Sequence, residues 1–280
     1  MRWQGRRTSN NVEDRRSLSG GKLAVGGGIG TVVIALIIYL LGGNPGEILN
    51  QFQGGDTEQT VLTTAEEDEQ AQFAAVVLAD CEEVWGNIFS ESGDSYRKPV
   101  LVLYSAQVNS ACGVSGASTG PFYCPLDEKL YIDLNFLELL QKKLKAPGDF
   151  AKAYVIAHEV GHHVQKLFGI SDQVQELRNR ISEQEYNELS VRLELQADFL
   201  AGVWAYHAEK MFGILEEGDI EEAINAASAV GDDQIQMKSQ GYVVPDAFTH
   251  GSSEQRMRWF MKGFKTGDIS QGDTFNVETL

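Results

Sequence analysis

Residues 146–171 read APGDFAKAYVIAHEVGHHVQKLFGIS and contain three of the five histidines of the chain. Pro147 and Gly148 mark the approach to a helix, Asp149 can cap its first turn, and Gly169 can end its last one. The stretch therefore predicts a helix of about 19 residues that presents a cluster of histidines.

The histidines form an H-E-x-x-H pattern, in which His158 and His162 lie four residues apart. On a helix both imidazoles project from one face and can bind one zinc ion. Glu159, next to the first ligand, can reach a metal-bound water as a general base. His163 lies about 100° further round the helix, which predicts a second-layer or surface histidine. The alternative for the whole pattern is an ordinary helix surface.

A zinc ion bound by two histidines needs a further protein ligand, and the stretch ELQADFLAG at residues 194–202 offers two acidic side chains. Glu194 and Asp198 are again four residues apart. We predict Glu194 as the third ligand and Asp198 as the acceptor of the other ring N–H of a ligand histidine. Both could instead lie on a solvated helix face, although their neighbours are apolar. His207 is the main competitor for the third ligand position.

A last candidate group lies in THGSSEQRMRW, residues 249–259, where Ser252 and Gln255 have the spacing of a helix cap. A histidine or arginine near the metal could stabilise the oxyanion of a tetrahedral intermediate. His250 is therefore a candidate catalytic residue, and Arg256 is a candidate for the layer behind the metal ligands.

The remaining pattern predicts an α+β fold that is predominantly helical and contains a small sheet. Apolar residues recur at helical spacing from about residue 66 to residue 90, and a second long helix is expected from Ser182 to about residue 212. PVLVLY at 99–104 and KLYIDL at 129–134 read as strands. Either could be an edge strand that binds a substrate backbone.

The chain begins with a basic segment, residues 1–22, that has six basic groups and two acidic ones. Residues 23–43 follow without a charge and are long enough, as a helix, to cross a bilayer. This predicts one N-terminal transmembrane helix, a cytoplasmic N-terminus, a linker over 44–65 and a folded domain over 66–280 in the periplasm or outside the cell. A cleaved signal peptide is the alternative.

The net charge of the folded part limits the classes of molecule that it can bind. The formal net charge of the chain is −17, and after residue 22 there are 17 basic and 38 acidic residues. A domain with this excess of acidic residues repels the phosphates of nucleic acids. We therefore expect no nucleic acid partner.

Two of the three cysteines, Cys112 and Cys124, flank a loop that contains glycine and proline. In an oxidising compartment we expect them to form a disulfide, with two unpaired thiols as the alternative. Cys81 lies in an apolar helical pattern and reads as a small buried hydrophobe.

Several stretches together resemble one family. The resemblance rests on the start MRWQGRR, the uncharged span, CGVSGASTGPFYCP with YIDL, HEVGHHVQ, ELQADFLAG and VVPDAFTHGSSEQRMRWF. With these stretches the chain resembles the neutral zinc metallopeptidases of the YpfJ type, which are single-pass bacterial membrane proteins. The resemblance extends over essentially the whole chain and implies a zincin-like domain, a Zn²⁺ cofactor and peptidase chemistry.

A more distant resemblance is to gluzincins, including membrane-bound ones of the CAAX-protease and heat-shock-protease kind. It implies that Glu194 is a zinc ligand, that Asp198 supports a ligand histidine, and that His250 and Arg256 lie near the site. This chain has Gly251 where those relatives often have proline.

The sequence thus predicts a membrane-anchored zinc metallopeptidase that acts on a protein or peptide substrate. Two other classes remain open. One is a zinc-stabilised binding or scaffold protein of the envelope, and the other is a metal-dependent hydrolase of a non-peptide amide of the cell wall. A glycan site would be expected to have aromatic platforms, for which Trp204, Tyr206 and Trp259 are available.

Overall fold

The computed structural model describes residues 1–16, 64–105, 107–116, 120–142 and 148–280. The described part is predominantly helical and has two small sheets, which confirms the α+β class. The strands are β1 (Val12–Asp14), β2 (Val100–Tyr104), β3 (Gln107–Ser110), β4 (Gly113–Gly116), β5 (Phe122–Cys124) and β6 (Lys129–Asp133). The helices are α1 (Thr64–Glu91), α2 (Leu134–Lys142), α3 (Asp149–Leu167), α4 (Ile170–Leu177), α5 (Glu183–Phe212), α6 (Asp219–Ala229), α7 (Asp232–Gln240) and α8 (Ser253–Thr266).

The larger sheet has the strand order β1-β2-β6-β5. β1, β2 and β6 run parallel, and β5 is antiparallel to β6. PVLVLY and KLYIDL therefore form interior strands, so the prediction that either is a substrate-binding edge was wrong. In the described part of the chain the edges of this sheet are β1 and β5.

Alternation along β2 and β6 explains why this small sheet is buried on both faces. Leu101, Leu103, Leu130 and Ile132 join the main core, whereas Val102, Tyr104 and Tyr131 join a smaller cluster on the opposite face, with Val108 of β3. Successive side chains of a strand point to opposite faces, so each strand contributes to both layers. Next to that smaller cluster, Cys112 and Cys124 form a disulfide with their Cα atoms 5.8 Å apart, and Cys81 is a buried free cysteine in α1.

Helix α3, which contains the H-E-x-x-H pattern, begins with a close contact that the sequence does not reveal. Gly148 has a φ of 114°, and a Cβ there would lie 1.8 Å from the Glu222 carboxyl carbon. That carboxylate accepts the Phe150 N–H at 3.0 Å. The predicted capping role of Asp149 was therefore wrong, because a carboxylate from α6 binds an N–H of the first turn.

Helices α5 and α8 cross at two glycines. A Cβ on Gly202 would lie 2.1 Å from the Phe260 carbonyl oxygen, and one on Gly263 would lie 2.0 Å from the Phe199 carbonyl oxygen. Both helices start at capping boxes, at Ser182 with Glu185 and at Ser252 with Gln255. The close crossing joins the second half of α8 to residues 199–203 of α5, and Arg256 in the first turn of α8 contacts Asp198 of α5.

Residues 1–16 pack against the rest of the described chain, although the sequence suggested a separate basic segment. Met1 and Trp3 belong to the main core, and β1 extends the sheet at its β2 edge. The predicted transmembrane helix at 23–43 and nearly all of the predicted linker lie outside the described residues. Among the helices that are described, none combines the length and apolarity needed to cross a membrane.

Candidate metal centre

Helices α3 and α5 bring three potential metal ligands together. One nitrogen each of His158 and His162 and one oxygen of Glu194 all lie within 4.8 Å of one another. His158 Nε2 is 3.1 Å from Glu194 Oε2, and His162 Nε2 is 3.4 Å from Glu194 Oε1. Two imidazole nitrogens and a carboxylate oxygen are the ligand set of a catalytic zinc with one open position.

The close packing of the two helices depends on a small residue between the histidines. A Cβ on Gly161 would lie 3.0 Å from the Ala197 carbonyl oxygen. Gly161 stands one residue before His162, and Ala197 stands three residues after Glu194. A larger side chain at position 161 would push apart the helices that hold the ligands.

His158 is held from behind by a buried carboxylate. Its Nδ1 lies 2.8 Å from Asp198 Oδ1, which also accepts the Tyr154 hydroxyl at 2.5 Å. Arg256 donates to both oxygens of Asp198, from Nε at 2.8 Å and from Nη2 at 2.9 Å. An acceptor at Nδ1 fixes the tautomer that leaves Nε2 available for a metal ion.

Charge at this carboxylate is set by its neighbours. Burial raises the pKa of Asp198, but Arg256 and His158 outweigh it and lower that pKa to about 2. Burial lowers the pKa of His158, but Asp198 and Glu194 outweigh it and raise that pKa to about 10 in the metal-free arrangement. Asp198 is therefore ionised at neutral pH, and its negative charge is shared between a histidine and an arginine.

His162 is held by a neutral group instead. Its Nδ1 lies 2.9 Å from Gln165 Oε1, and Gln165 is fully buried. The Gln165 amide nitrogen donates to the Leu193 carbonyl at 2.7 Å and to Gln196 Oε1 at 3.1 Å. With its NH₂ group used in this way, the Gln165 oxygen faces the histidine, so both ligand histidines have an acceptor at Nδ1.

Glu159 stands on α3 directly after the first ligand histidine, and only 8% of its surface is exposed. Within the described ranges its carboxylate has no hydrogen-bond partner. Burial lowers the pKa of His162, but Glu194 outweighs it and raises that pKa, with a smaller contribution from Glu159. A carboxylate with no structural partner next to a metal ligand has the position required of a base acting on metal-bound water.

His250 lies in the loop before α8, and Asp232 organises this loop. Asp232 Oδ2 accepts the backbone N–H groups of Thr249, His250 and Gly251 at 2.7, 2.6 and 3.0 Å. Asp232 Oδ1 lies 3.2 Å from His250 Nδ1, and the His250 side chain is 51% exposed. Burial lowers the pKa of His250, but Asp232 and Glu194 outweigh it and raise the pKa.

The structure explains why this chain has glycine at position 251, where the more distant relatives often have proline. Gly251 has a φ of 90°, and its N–H is one of the three that bind Asp232. Proline has no N–H and is restricted to a φ near −65°, so it cannot take this position in this loop. The loop path of this chain therefore excludes the proline that the more distant relatives often have.

The other two histidines lie apart from the cluster. His163 is fully buried, with Nδ1 3.0 Å from the Tyr123 hydroxyl and Nε2 2.6 Å from the Arg97 carbonyl, and burial lowers its pKa. His207 Nε2 lies 2.8 Å from the Gly267 carbonyl. Neither is part of the group of potential ligands found among the described residues.

Three residues of this centre were missed by the sequence analysis. Tyr154 is four residues before His158 and Gln165 is three after His162, so helical spacing was a usable signal for both. Asp232 had no local signal, because only the fold brings it to a loop 18 residues further along the chain.

Comparisons with known proteins identify the family of the chain. Residues 1–275 match the model of a family described as "Putative neutral zinc metallopeptidase". The chain is 49% identical to the uncharacterized protein YpfJ of Escherichia coli K12 over 98% of this chain and 99% of that protein. It is 38% identical to the uncharacterized protein Rv2575 of Mycobacterium tuberculosis H37Rv over 86% of each. No solved structure was found to match. The chain belongs to this family.

Proposed function

We propose that this chain is a zinc-dependent peptidase that hydrolyses peptide bonds with Glu159 as its general base. The observation that supports this most directly is that His158 and His162 of α3 converge with Glu194 of α5, and Glu159 lies on α3 directly after His158. A family model over nearly the whole chain supports the same chemistry at the level of the family.

The residues present fit a zinc ion. Each histidine has its Nδ1 directed at an acceptor and its Nε2 directed at Glu194. Three ligands from two helices leave a tetrahedral ion one position for water or substrate. Zinc bound there would polarise the scissile carbonyl and lower the pKa of the coordinated water.

The chain's own residues would move the protons. Glu159 takes a proton from the water and later passes it to the leaving amine. Asp198 keeps His158 in the tautomer that binds through Nε2, and Arg256 keeps Asp198 ionised in a buried position. His250 has its Nδ1 directed at Asp232, and in its protonated form it has a second N–H, at Nε2, to donate to the oxygen of the substrate carbonyl.

An extended peptide is the substrate form we propose. β5 is an edge strand, and Tyr123 in its centre contacts His163 on the motif helix. An edge strand offers main-chain N–H and C=O groups with which a peptide can pair. β5 takes the place of the two interior strands that the sequence analysis considered for this role.

Two observations bear on the alternatives. Trp204 and Trp259 are buried in the core, so neither can form a platform for a glycan. Glu159 has the position of a general base, which a scaffold protein would not require. Both favour a peptidase over a cell-wall amide hydrolase or a silent binding protein.

We also propose that the uncharged stretch at residues 23–43 attaches the enzyme to the cytoplasmic membrane. Its length and lack of charge support attachment.

The test uses the full chain, because residues 1–16 belong to the fold. Bound zinc and hydrolysis of an unfolded protein are measured for the wild type and for Glu159→Gln. We expect the variant to keep its zinc and to lose activity by about 100-fold or more. Glu176→Gln, at an exposed position of α4, is the matched control and should keep full activity. Unchanged activity in Glu159→Gln would refute the mechanism.

A further inference from the structure

The first 16 residues are held by contacts of the kind found inside a domain. Trp3 is 6% exposed, packs edge-on against Phe73 with ring centroids 5.4 Å apart, and donates from Nε1 to Asp149 Oδ2 at 3.1 Å. Asp149 is the first residue of the motif helix α3. The start of the chain therefore packs against the helix that presents the metal ligands.

Two buried acidic groups of α1 take partners from this segment. Asp80 is 4% exposed and binds Arg6 Nη2 at 2.6 Å, and Arg6 also lies over the Phe212 ring at 4.5 Å. Arg7 donates to the Ala79 carbonyl at 2.8 Å. Without residues 1–16, Asp80 would lose its ion-pair partner at a buried position, which is unfavourable.

Glu82 is the second buried acid and is 2% exposed. It accepts the Ser9 hydroxyl and the Asn11 amide, the latter at 2.7 Å, while Lys98 from the body lies at 3.3 Å. Burial raises the pKa of Glu82, but Ser9, Asn11 and Lys98 outweigh it and lower the pKa. The N-terminal segment thus contributes much of the hydrogen bonding that keeps this buried carboxylate ionised.

Main-chain pairing continues the contact into the sheet. Leu101 N–H donates to the Asn11 carbonyl at 2.9 Å, and Arg15 N–H donates to the Leu103 carbonyl at 2.8 Å. β1 pairs in parallel with β2 over three residues. Lys129 on β6 lies 2.5 Å from Glu13. The segment therefore covers the edge of β2 and adds ionic contacts to the next strand.

We infer that residues 1–16 dock on residues 64–280 of the same chain and that both parts lie on the same side of the membrane. A bilayer cannot separate groups that share a buried core and a hydrogen-bonded strand pair. A single crossing by residues 23–43 would place Arg16 and Thr64 in different compartments, so this inference replaces the single-pass arrangement that the sequence suggested.

The arginines that suggested a cytoplasmic N-terminus have another role in the fold. Arg6 pairs with Asp80, Arg7 with Glu82, Arg15 with Glu13, and Arg16 with Asp14 and Asp68. The positive-inside rule counts basic residues that orient a span. Here these four residues already have acidic partners within the folded unit, so their presence does not require a cytoplasmic location.

Two exposed positions that are neighbours in the fold can show whether residues 1–16 and residues 64–280 lie on the same side of the membrane. Arg2 and Glu216 have half or more of each side chain exposed, and Arg2 Nε lies 3.9 Å from Glu216 Oε1. Arg2→Cys and Glu216→Cys are made separately in the full chain and treated in intact cells with a membrane-impermeant maleimide. Labelling is read by mass spectrometry for each peptide, so that the native cysteines are counted separately.

We expect the two cysteines to behave alike, either both labelled in intact cells or both labelled only after the membrane is permeabilised. The double variant should also form an intramolecular cross-link with a short bifunctional maleimide. Labelling from opposite sides would overturn the inference. A cross-link found only between two chains would also overturn it, because the segment would then dock on another copy. Zinc content and peptidase activity play no part in the readout, so failure of this inference is distinguishable from failure of the proposed function.

Discussion

The two candidate ligand histidines of this centre are oriented by chemically different groups. His158 has behind it an ionised carboxylate, Asp198, which is fixed by Arg256 from a third helix. His162 has behind it a neutral amide, Gln165, which belongs to the same helix. Both groups can accept a hydrogen bond from Nδ1, so they meet the same requirement of the proposed metal site.

The difference lies in what each group is attached to. Asp198 and Arg256 join α5 to α8 through a buried ion pair, and Arg256 also donates to the Val230 carbonyl at 3.3 Å. Gln165 joins α3 to α5 through hydrogen bonds only. The His158 side should therefore couple metal binding to global stability, whereas the His162 side should affect mainly the metal.

The largest expected effect on stability comes from neutralising Asp198, the charged group behind His158. Asp198→Asn keeps the shape of the side chain but leaves the Arg256 guanidinium buried without a counter-charge. We expect the free energy of unfolding of the zinc-free protein to fall by about 3–5 kcal/mol, measured by urea denaturation.

The double variant Asp198→Asn with Arg256→Met is the control for this effect. It removes both charges, so it should be more stable than the single variant. If the double variant were the less stable of the two, the ion pair would not be the source of the loss.

The second prediction disturbs the helix crossing that brings Arg256 to Asp198. Gly202→Ala places a methyl group against the Phe260 carbonyl, and relieving the overlap should cost about 1–3 kcal/mol of unfolding free energy. Thermal unfolding of the full chain measures the change.

Gly86→Ala on α1 is the matched control, because a Cβ there would have nothing within 4 Å. Replacing a mid-helix glycine at an open position should be neutral or should stabilise by about 0.5–1 kcal/mol. Equal losses at both positions would show that the crossing is not the sensitive feature.

A smaller effect, on zinc affinity, is expected from removing Gln165, the neutral group behind His162. Gln165→Ala removes the acceptor at His162 Nδ1 and leaves that ring free to rotate or to change tautomer. Zinc affinity should fall by about 10-fold, as is common when the group behind a metal-bound histidine is lost. Competition with a chromophoric chelator measures the dissociation constant.

Gln165→Glu restores an acceptor and should recover much of the affinity. Gln184→Ala, at an exposed position in the first turn of α5, should leave it unchanged. An affinity in Gln165→Ala equal to that of the wild type would mean that His162 is oriented by its helix alone.

Helical periodicity explains how far the sequence could predict this centre. Spacings of four residues place His158 with His162 and Glu194 with Asp198, so periodicity alone assigns each pair to one helix face. Two neighbouring faces do not specify how two helices cross, and that geometry depends on Gly161, Gly202 and Gly263, whose contacts lie on other elements.

The same limit on prediction from the sequence applies to the fold, because it too depends on contacts between distant segments. Strand composition predicted the residues of β2 and β6 but not their interior position, because strand order depends on pairing between distant segments. The N-terminal segment was the largest difference. Its basic residues suggested a separate cytoplasmic segment, whereas Asp80 and Glu82, the buried partners of Arg6 and Arg7, lie more than 70 residues away in the sequence.

The smallest expected effect concerns the histidine that competed with Glu194 in the sequence. His207 is on the same helix as Glu194, but its Nε2 faces the Gly267 carbonyl at 2.8 Å. Gln can donate a hydrogen bond to that carbonyl, so His207→Gln should leave the zinc stoichiometry unchanged and the unfolding free energy within about 0.5 kcal/mol. Glu194→Ala, measured in parallel, should lose the metal because only two ligands remain. The reverse result, zinc lost with His207→Gln and kept with Glu194→Ala, would move the third ligand out of the cluster, and the contrast between the two supporting groups would no longer describe this metal site.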